Sequence, residues 1–253
     1  MKITYLGHSG FLVETGEHYL LFDYYIGELP VFLPGKNLTV FVSHAHQDHY
    51  NKEIFALQQG QGRDSVPGRS GKQPAGNRHI VYVLSRDIRR KQAEELVGEG
   101  NELLSVKSRE TCNLYGDRMT VSTLRSTDAG VAYVVEIAEN DGKTYRFYHA
   151  GDLNLWKWPG ETKAYNNNME ANYRREMEKL RGQHFDAAFV PLDPRLEHFA
   201  FGGMDIFLEE AEAEIVFPMH FWKQPEIIRE YLSTRPQVKN LVALQEEGRS
   251  YEF

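Results

Sequence analysis

The fold and the chemistry of this chain depend on residues 40–50, which read Val40-Phe41-Val42-Ser43-His44-Ala45-His46-Gln47-Asp48-His49-Tyr50. The β-branched and aromatic residues at the start predict the end of a buried strand. Because residues two apart in an extended segment project to the same side, His44 and His46 can bind one ion. Asp48 and His49 follow in a turn and can reach a second ion. This density of ligands predicts a metal site; a surface histidine cluster without function and Asp48 as a helix N-cap are the alternatives.

Four segments together resemble one known family. The motif His44-Ala45-His46-Gln47-Asp48-His49 is similar to the H-x-H-x-D-H signature of the metallo-β-lactamase superfamily. Residues 6–11 resemble the Gly-His-Ser segment of its branch that includes ascorbate-6-phosphate lactonase. Ala150-Gly151-Asp152 and Pro218-Met219-His220 resemble two later strand ends with metal ligands. The resemblance covers essentially the whole chain and implies an α+β fold, the four-layer αβ/βα sandwich of the superfamily, with the site at a sheet edge.

Composition agrees with a soluble globular protein. The chain has 253 residues, 41% of them hydrophobic and 26% charged, and no apolar run approaches the roughly 18 residues of a membrane span. The single cysteine excludes an internal disulfide and agrees with a reducing compartment. The formal charge of −7 argues against a nucleic-acid partner. We therefore expect a cytoplasmic protein that acts on a small molecule, without a nucleic-acid or membrane partner.

Hydrophobic patterning predicts a β-rich first half and a β-rich second half with helices between the strands. We expect strands near residues 2–6, 10–15, 18–23, 79–84, 103–106, 119–124, 131–137, 144–148, 185–193, 215–219 and 241–244. Helices are expected from about residue 52, from 88 to 97, from 204 to 213 and from 224 to 232, and a stripe of apolar residues at helical spacing runs from 169 to 180. Residues 58–78 have almost no apolar side chain and predict a flexible insertion. The expected organisation is one domain, residues 1–253.

The resemblance also implies a set of ligands. His44 and His46 match the positions that hold one ion, Asp48, His49 and His220 match those that hold the other, and Asp152 matches the carboxylate that bridges both. Asp48 and Asp152 are therefore assigned as catalytic as well as metal-binding. Nitrogen and oxygen ligands suit two divalent ions, with Zn²⁺ favoured and Mn²⁺ or iron as alternatives. A water between two cations becomes a hydroxide nucleophile near neutral pH, which predicts hydrolysis.

One family position is different in this chain. The family usually has another ligand histidine between the motif and the bridging aspartate, but no histidine occurs between His79 and His149. Asp128, in the turn of the corresponding strands, is one candidate replacement, and His149 is the other. Asp128 as a simple turn residue is the alternative. If neither replaces the histidine, the first metal site is incomplete.

These observations favour a metal-dependent hydrolase of a small, anionic molecule, with a lactone or a phosphate ester suggested by the branch. A degenerate member that binds a metal or ligand without catalysis is the first alternative, and a phosphodiesterase or nuclease is the second. The resembled branch has the segment of His8 near its site, and a turn histidine without function is the alternative. Trp156 and Trp158 follow a proposed ligand and could line a substrate pocket, with ordinary packing as the alternative. Substrate and oligomeric state are likewise left open.

Overall fold

The computed structural model describes residues 1–59, 79–244 and 246–253, so most of the predicted insertion lies outside the described residues. The chain divides into two compact units, Met1–Val106 with Glu246–Phe253, and Lys107–Gln245. We describe each unit by itself, and the single domain stays a prediction. Among the described residues, no helix is long and apolar enough to cross a membrane.

The first unit is built on a sheet of seven strands within its described residues. In chain order they are β1 (Lys2–Gly7), β2 (Gly10–Glu14), β3 (His18–Phe22), β4 (Asn37–Val42), β5 (Ile80–Ser85), β6 (Glu102–Val106) and β15 (Ser250–Glu252). Their order in the sheet is β15-β1-β2-β3-β4-β5-β6. In this sheet order, β15, β1, β2 and β3 pair with their neighbours in antiparallel fashion. The strands β3, β4, β5 and β6 pair in parallel. A 3₁₀ helix (Lys52–Gln59) and α1 (Arg90–Leu96) complete the unit.

Strand direction places three connections of this unit at one edge. β4 has five buried residues in sequence, as expected for a parallel strand covered on both faces. β3 pairs with it in parallel, with Phe22 opposite Phe41, so the residues that follow both strands emerge together. β1 runs in the same direction, because two antiparallel pairings separate it from β3. The β1–β2 turn, the end of β3 and the motif after β4 therefore share this edge.

The second unit has a sheet of six strands in the part that the structure describes. They are β7 (Thr111–Leu114), β8 (Met119–Arg125), β9 (Val131–Ala138), β10 (Thr144–His149), β12 (Ala187–Pro191) and β14 (Val216–Met219), and a separate short pair consists of β11 (His184–Phe185) and β13 (Glu212–Ala213). The helices are α2 (Lys163–Met177), α3 (Gly202–Glu210) and α4 (Glu226–Thr234), with short 3₁₀ segments at Glu178–Leu180 and Pro194–Phe199.

The second sheet also gathers strand ends at one edge. Its order is β14-β12-β10-β9-β8-β7, and the first three strands are parallel. The carboxyl ends of parallel strands meet at the same edge, and polar residues that follow them can form a site there. Asp152 follows β10, Asp193 follows β12 and His220 follows β14 directly.

Most predicted elements are present, with three differences. The strand expected at 241–244 is reduced to a single bridge between Leu241 and Val216. The last strand is instead β15, which pairs with β1. Sequence patterning also missed β7, because its four residues alternate weakly and only Leu114 is buried.

Candidate metal centre

Three potential ligands converge in the first unit. His8 lies in the β1–β2 turn, and its Nε2 is 3.3 Å from Oδ2 of Asp48. The ring of His8 meets that of His49 edge to face, with centroids 5.6 Å apart. One ligand atom each from His8, Asp48 and His49 lies within 4.8 Å of the others. Two imidazoles and one carboxylate at this spacing are a suitable set for Zn²⁺ or a similar divalent ion.

The other two motif histidines are also adjacent. Nε2 of His44 is 3.0 Å from Nδ1 of His46, so the two rings present nitrogens to the same place. Nδ1 of His44 is 2.9 Å from Oγ of Ser43. With the proton of His44 on Nδ1, its Nε2 is left as a lone-pair donor for a metal ion. The spacing argument from the sequence, that residues 44 and 46 point to one side, is consistent with this geometry.

A buried carboxylate that the sequence analysis did not assign, Asp23, supports two of the motif histidines, His44 and His49. Oδ2 of Asp23 is 2.7 Å from Nδ1 of His49 and accepts a 2.6 Å hydrogen bond from Oγ of Ser43. Its Oδ1 accepts from the amide N of Ser43 at 2.7 Å. Asp23 is only 1% exposed. It therefore orients His49 directly and His44 through Ser43, as carboxylates do behind metal-bound histidines.

The second unit contains a comparable arrangement. Nε2 of His220 is 3.2 Å from Oδ1 of Asp152, and its Nδ1 is 2.8 Å from Oδ2 of Asp193. All three side chains are buried. Arg195 holds Asp193 from the other side through Nε and Nη2. Asp193 therefore fixes the ring of His220 with Nε2 directed to Asp152. The sequence analysis missed this role of Asp193.

Several of these residues adopt a backbone conformation that is rare for side chains other than glycine. φ is 51° at His8, 41° at Asp23 and 64° at His220. Such positions cost of order 1–3 kcal/mol each and cluster at functional sites. All three follow directly after a strand, where the chain must turn at the sheet edge. Backbone strain is therefore found at residues of the ligand groups in both units.

Electrostatics keeps the carboxylates of Asp48 and Asp193 ionised. Burial raises the pKa of Asp48, but the hydrogen bond from His8 and the nearby His49 outweigh it and hold the pKa well below its usual value. Burial also raises the pKa of Asp193, but hydrogen bonds from His220 and Arg195 outweigh it and lower the pKa to about 2. Ionised carboxylates accept hydrogen bonds and bind cations, which both positions require.

The two proposed replacements for the missing histidine are placed differently. Asp128 is exposed, and its amide N donates to Oγ of Ser126. His149 is buried, and its Nδ1 accepts from the amide N of Gly151. Among the described residues, neither belongs to a group of three or more convergent potential ligands. Their ligand roles therefore stay predictions.

Comparisons with known structures define the fold. Igni18, a metallo hydrolase from Ignicoccus hospitalis, is similar over 100% of this chain and 98% of its own, with a TM-score of 0.60 and 18% identity. The metallo-beta-lactamase fold protein YhfI from Bacillus subtilis is similar over 99% of this chain and 98% of its own, with a TM-score of 0.57 and 14% identity. These likenesses confirm the predicted α+β metallo-β-lactamase fold.

The family follows from the sequence. Residues 2–156, more than half of the chain, match the β-lactamase superfamily domain, and the chain belongs to this superfamily. A UPF0173 metal-dependent hydrolase of Korarchaeum cryptofilum is 26% identical over 100% of both chains. The UPF0173 metal-dependent hydrolase YtkL of Bacillus subtilis is 26% identical over 90% of this chain and 88% of its own. At the level of enzyme class, these relatives confirm the prediction of a metal-dependent hydrolase.

Proposed function

We propose that this protein hydrolyses a small molecule with two divalent metal ions, of which Zn²⁺ is favoured. The ligands that we propose from the family pattern are His44, His46, Asp48 and His49 in the first unit and Asp152 and His220 in the second. The observation that most supports a metal is the buried carboxylate behind a histidine in each unit, Asp23 at His49 and Asp193 at His220. A carboxylate in this position sets the tautomer in which Nε2 can bind a cation.

The donor set fits this proposal. Each unit offers neutral imidazole nitrogens and ionised carboxylate oxygens at the carboxyl edge of its sheet. Such mixed nitrogen and oxygen ligands suit Zn²⁺, Mn²⁺ and iron. Two divalent ions held there would supply a nucleophile from water at neutral pH and polarise the oxygen of a carbonyl or phosphoryl group. No serine or cysteine nucleophile is required.

The chain's own residues then have distinct tasks. Asp48 and Asp152 supply negative charge that partly balances the cations, and His8 lies against Asp48 at 3.3 Å. Asp23 keeps the proton of His49 on Nδ1, and Asp193 does the same for His220. Each histidine is thereby held in one orientation before any ion arrives. Preorganised ligands reduce the cost of assembling the site.

The substrate class rests on the family branch and on charge. A lactone or a phosphate ester is the proposed substrate, because the Gly7-His8-Ser9 segment resembles the branch with ascorbate-6-phosphate lactonase. An anionic group would be attracted by the metal ions themselves, although the chain has a net charge of −7. The same charge supports a small-molecule substrate over nucleic acid. We propose that the protein acts in the cytoplasm.

Metal content is the first test. We expect about two ions per chain in freshly purified protein, measured by elemental analysis, and hydrolysis of lactones or phosphate esters that chelation removes and Zn²⁺ or Mn²⁺ restores. One ion or fewer after supplementation with zinc, manganese and iron would contradict the dinuclear mechanism. That outcome would favour the non-catalytic alternative, for which the absent histidine is the motivating feature.

His8 provides a second test, because the sequence leaves its role open and its ring lies beside Asp48 and His49. We expect His8→Ala to weaken the binding of one ion at least about 10-fold, since loss of a supporting group alone costs a metal site 10- to 100-fold. The affinity is measured by competition with a chelating indicator. His184→Ala is the control, because His184 is half exposed on β11 and pairs with Glu214. Unchanged affinity in His8→Ala would exclude His8 as a ligand.

A further inference from the structure

All three tryptophans of the chain lie around one proposed ligand. Positions 156, 158 and 222 account for every tryptophan, and all belong to the second unit. The ring of Trp156 meets His220 at 64° with centroids 5.4 Å apart, and Trp222 meets it at 83° and 5.7 Å. Trp158 stacks on Trp156 at 6.3 Å. Such a concentration at a single histidine calls for an explanation beyond core packing.

Trp156 has an ordinary structural role. It is 6% exposed, and its Nε1 donates a 2.8 Å hydrogen bond to the carbonyl O of Asp152. This bond fixes the loop after β10 and hence the carboxylate of Asp152. Burial and a satisfied indole N–H are what a packed tryptophan requires. Trp156 is therefore a positioning residue.

Trp222 differs from Trp156 in burial and in backbone conformation. It is 38% exposed, and its φ of 53° is rare for a bulky residue. A left-handed conformation at a large side chain costs free energy, and the long 3.4 Å hydrogen bond from Nε1 of Trp222 to Oδ2 of Asp193 offsets only part of it. The chain nevertheless holds this ring beside His220. Exposed aromatic surface next to a site is typical of a ligand-binding surface.

The guanidinium of Arg195 lies against the rings of both Trp158 and Trp222. Its guanidinium carbon lies 4.7 Å from the ring centroid of Trp222 and 5.8 Å from that of Trp158. The same guanidinium binds both carboxylate oxygens of Asp193. The positive charge of Arg195 and the negative charge of Asp193 therefore cancel within this surface. The result is an aromatic surface without net charge.

We propose that Trp158, Arg195 and Trp222, here called the tryptophan surface, bind a neutral planar group of the substrate. This inference rests on the proposed function. It adds selection for a planar, uncharged part of the substrate, whereas the sequence predicts only that the substrate is small and anionic. The reacting carbonyl or phosphoryl group would lie at the ligands Asp152 and His220, and the rest of the molecule would stack on the rings. A planar group gains from stacking on indole, whereas a saturated group of equal size gains only from contact area.

The test compares the binding of two neutral probes by calorimetry. We expect 2-naphthamide to bind at least about fivefold more tightly than cyclohexanecarboxamide, because aromatic stacking adds to area burial. Trp222→Ala should remove about fivefold of the 2-naphthamide affinity, and Trp222→Phe should restore most of it. Phe253→Ala is the matched control, since Phe253 is a more exposed aromatic residue in the first unit. Equal binding of the two probes, or unchanged affinity in Trp222→Ala, would overturn the proposal.

The same measurement after chelation separates this inference from the proposed function. We expect 2-naphthamide affinity to change by less than about twofold when metal is removed, because the tryptophan surface contains no metal ligand. Loss of probe binding on chelation would mean that the amide group binds the metals, and would overturn the tryptophan surface.

In metal-free protein, 2-naphthoate should bind no more tightly than 2-naphthamide, because the negative charge of Asp193 balances the positive charge of Arg195. A clear preference for the anion would likewise overturn a neutral surface. A protein that holds no metal but retains planar selectivity would refute the proposed function alone.

Discussion

Asp23→Asn is expected to weaken metal binding about 10- to 100-fold while the chain remains folded. The substitution changes one oxygen to an amide nitrogen without changing the size of a side chain that is 1% exposed. The amide N of Ser43 donates to Oδ1 at 2.7 Å, so an asparagine oxygen must occupy that position. Its NH₂ group then faces His49.

This amide group reverses the tautomer of His49. In the wild type, the carboxylate oxygen accepts from Nδ1 of His49 at 2.7 Å. An asparagine NH₂ can only donate there, so Nδ1 becomes the acceptor and the proton moves to Nε2. A protonated Nε2 cannot bind a metal ion. The hydroxyl of Ser43 also loses its acceptor, which loosens His44. One atom therefore affects two proposed ligands.

The readouts are metal affinity by indicator competition and stability by chemical denaturation. Asp186→Asn is the control, because Asp186 accepts a backbone N–H from Arg146 at 2.6 Å and lies outside both ligand groups. Asp23→Ala serves as the disruptive comparison. It leaves the donors of Ser43 and His49 without this acceptor, and we expect it to lose about 3 kcal/mol of unfolding free energy or more. Wild-type metal affinity in folded Asp23→Asn would refute the orienting role.

The same residue shows what the sequence could not provide. The motif from His44 to His49 was recognisable because its ligands are close in the chain. Asp23 is separated from Ser43 by 20 positions and from His49 by 26. Only the parallel pairing of β3 with β4, with Phe22 opposite Phe41, brings them together. Residues that act through sheet register leave no local spacing signal.

Asp193 and the last strand are likewise placed by strand pairing between distant parts of the chain. Asp193 and His220 are 27 positions apart and meet because β12 and β14 are parallel neighbours. β15 has only three residues, and its position is set by pairing with β1 at the other end of the chain. Long apolar strands such as β4, β5 and β9 were predictable, since their hydrophobic runs are local. A possible signal for Asp193 was its place directly after a buried strand, beside an arginine two residues later.

Asp152→Ala is expected to reduce the metal content from about two ions per chain to one or none, and to lower hydrolysis at least roughly 1,000-fold. The proposed bridge would lose both of its metal contacts at once. Metal activation contributes several kcal/mol to the barrier reduction, and each 1.36 kcal/mol corresponds to a factor of ten in rate. Oδ1 of Asp152 is also 3.2 Å from Nε2 of His220, so the substitution removes the neighbour of a second ligand.

Asp128→Ala is the informative comparison for this experiment. Asp128 is exposed in the turn after β8, and its removal disturbs no buried contact of the Asp152–His220 pair. If Asp128→Ala keeps two ions and full activity while Asp152→Ala loses both, the missing histidine of the family is not replaced by Asp128. If both variants lose an ion, the result supports Asp128 as a ligand. If Asp152→Ala retains two ions and wild-type activity, the bridging role is wrong.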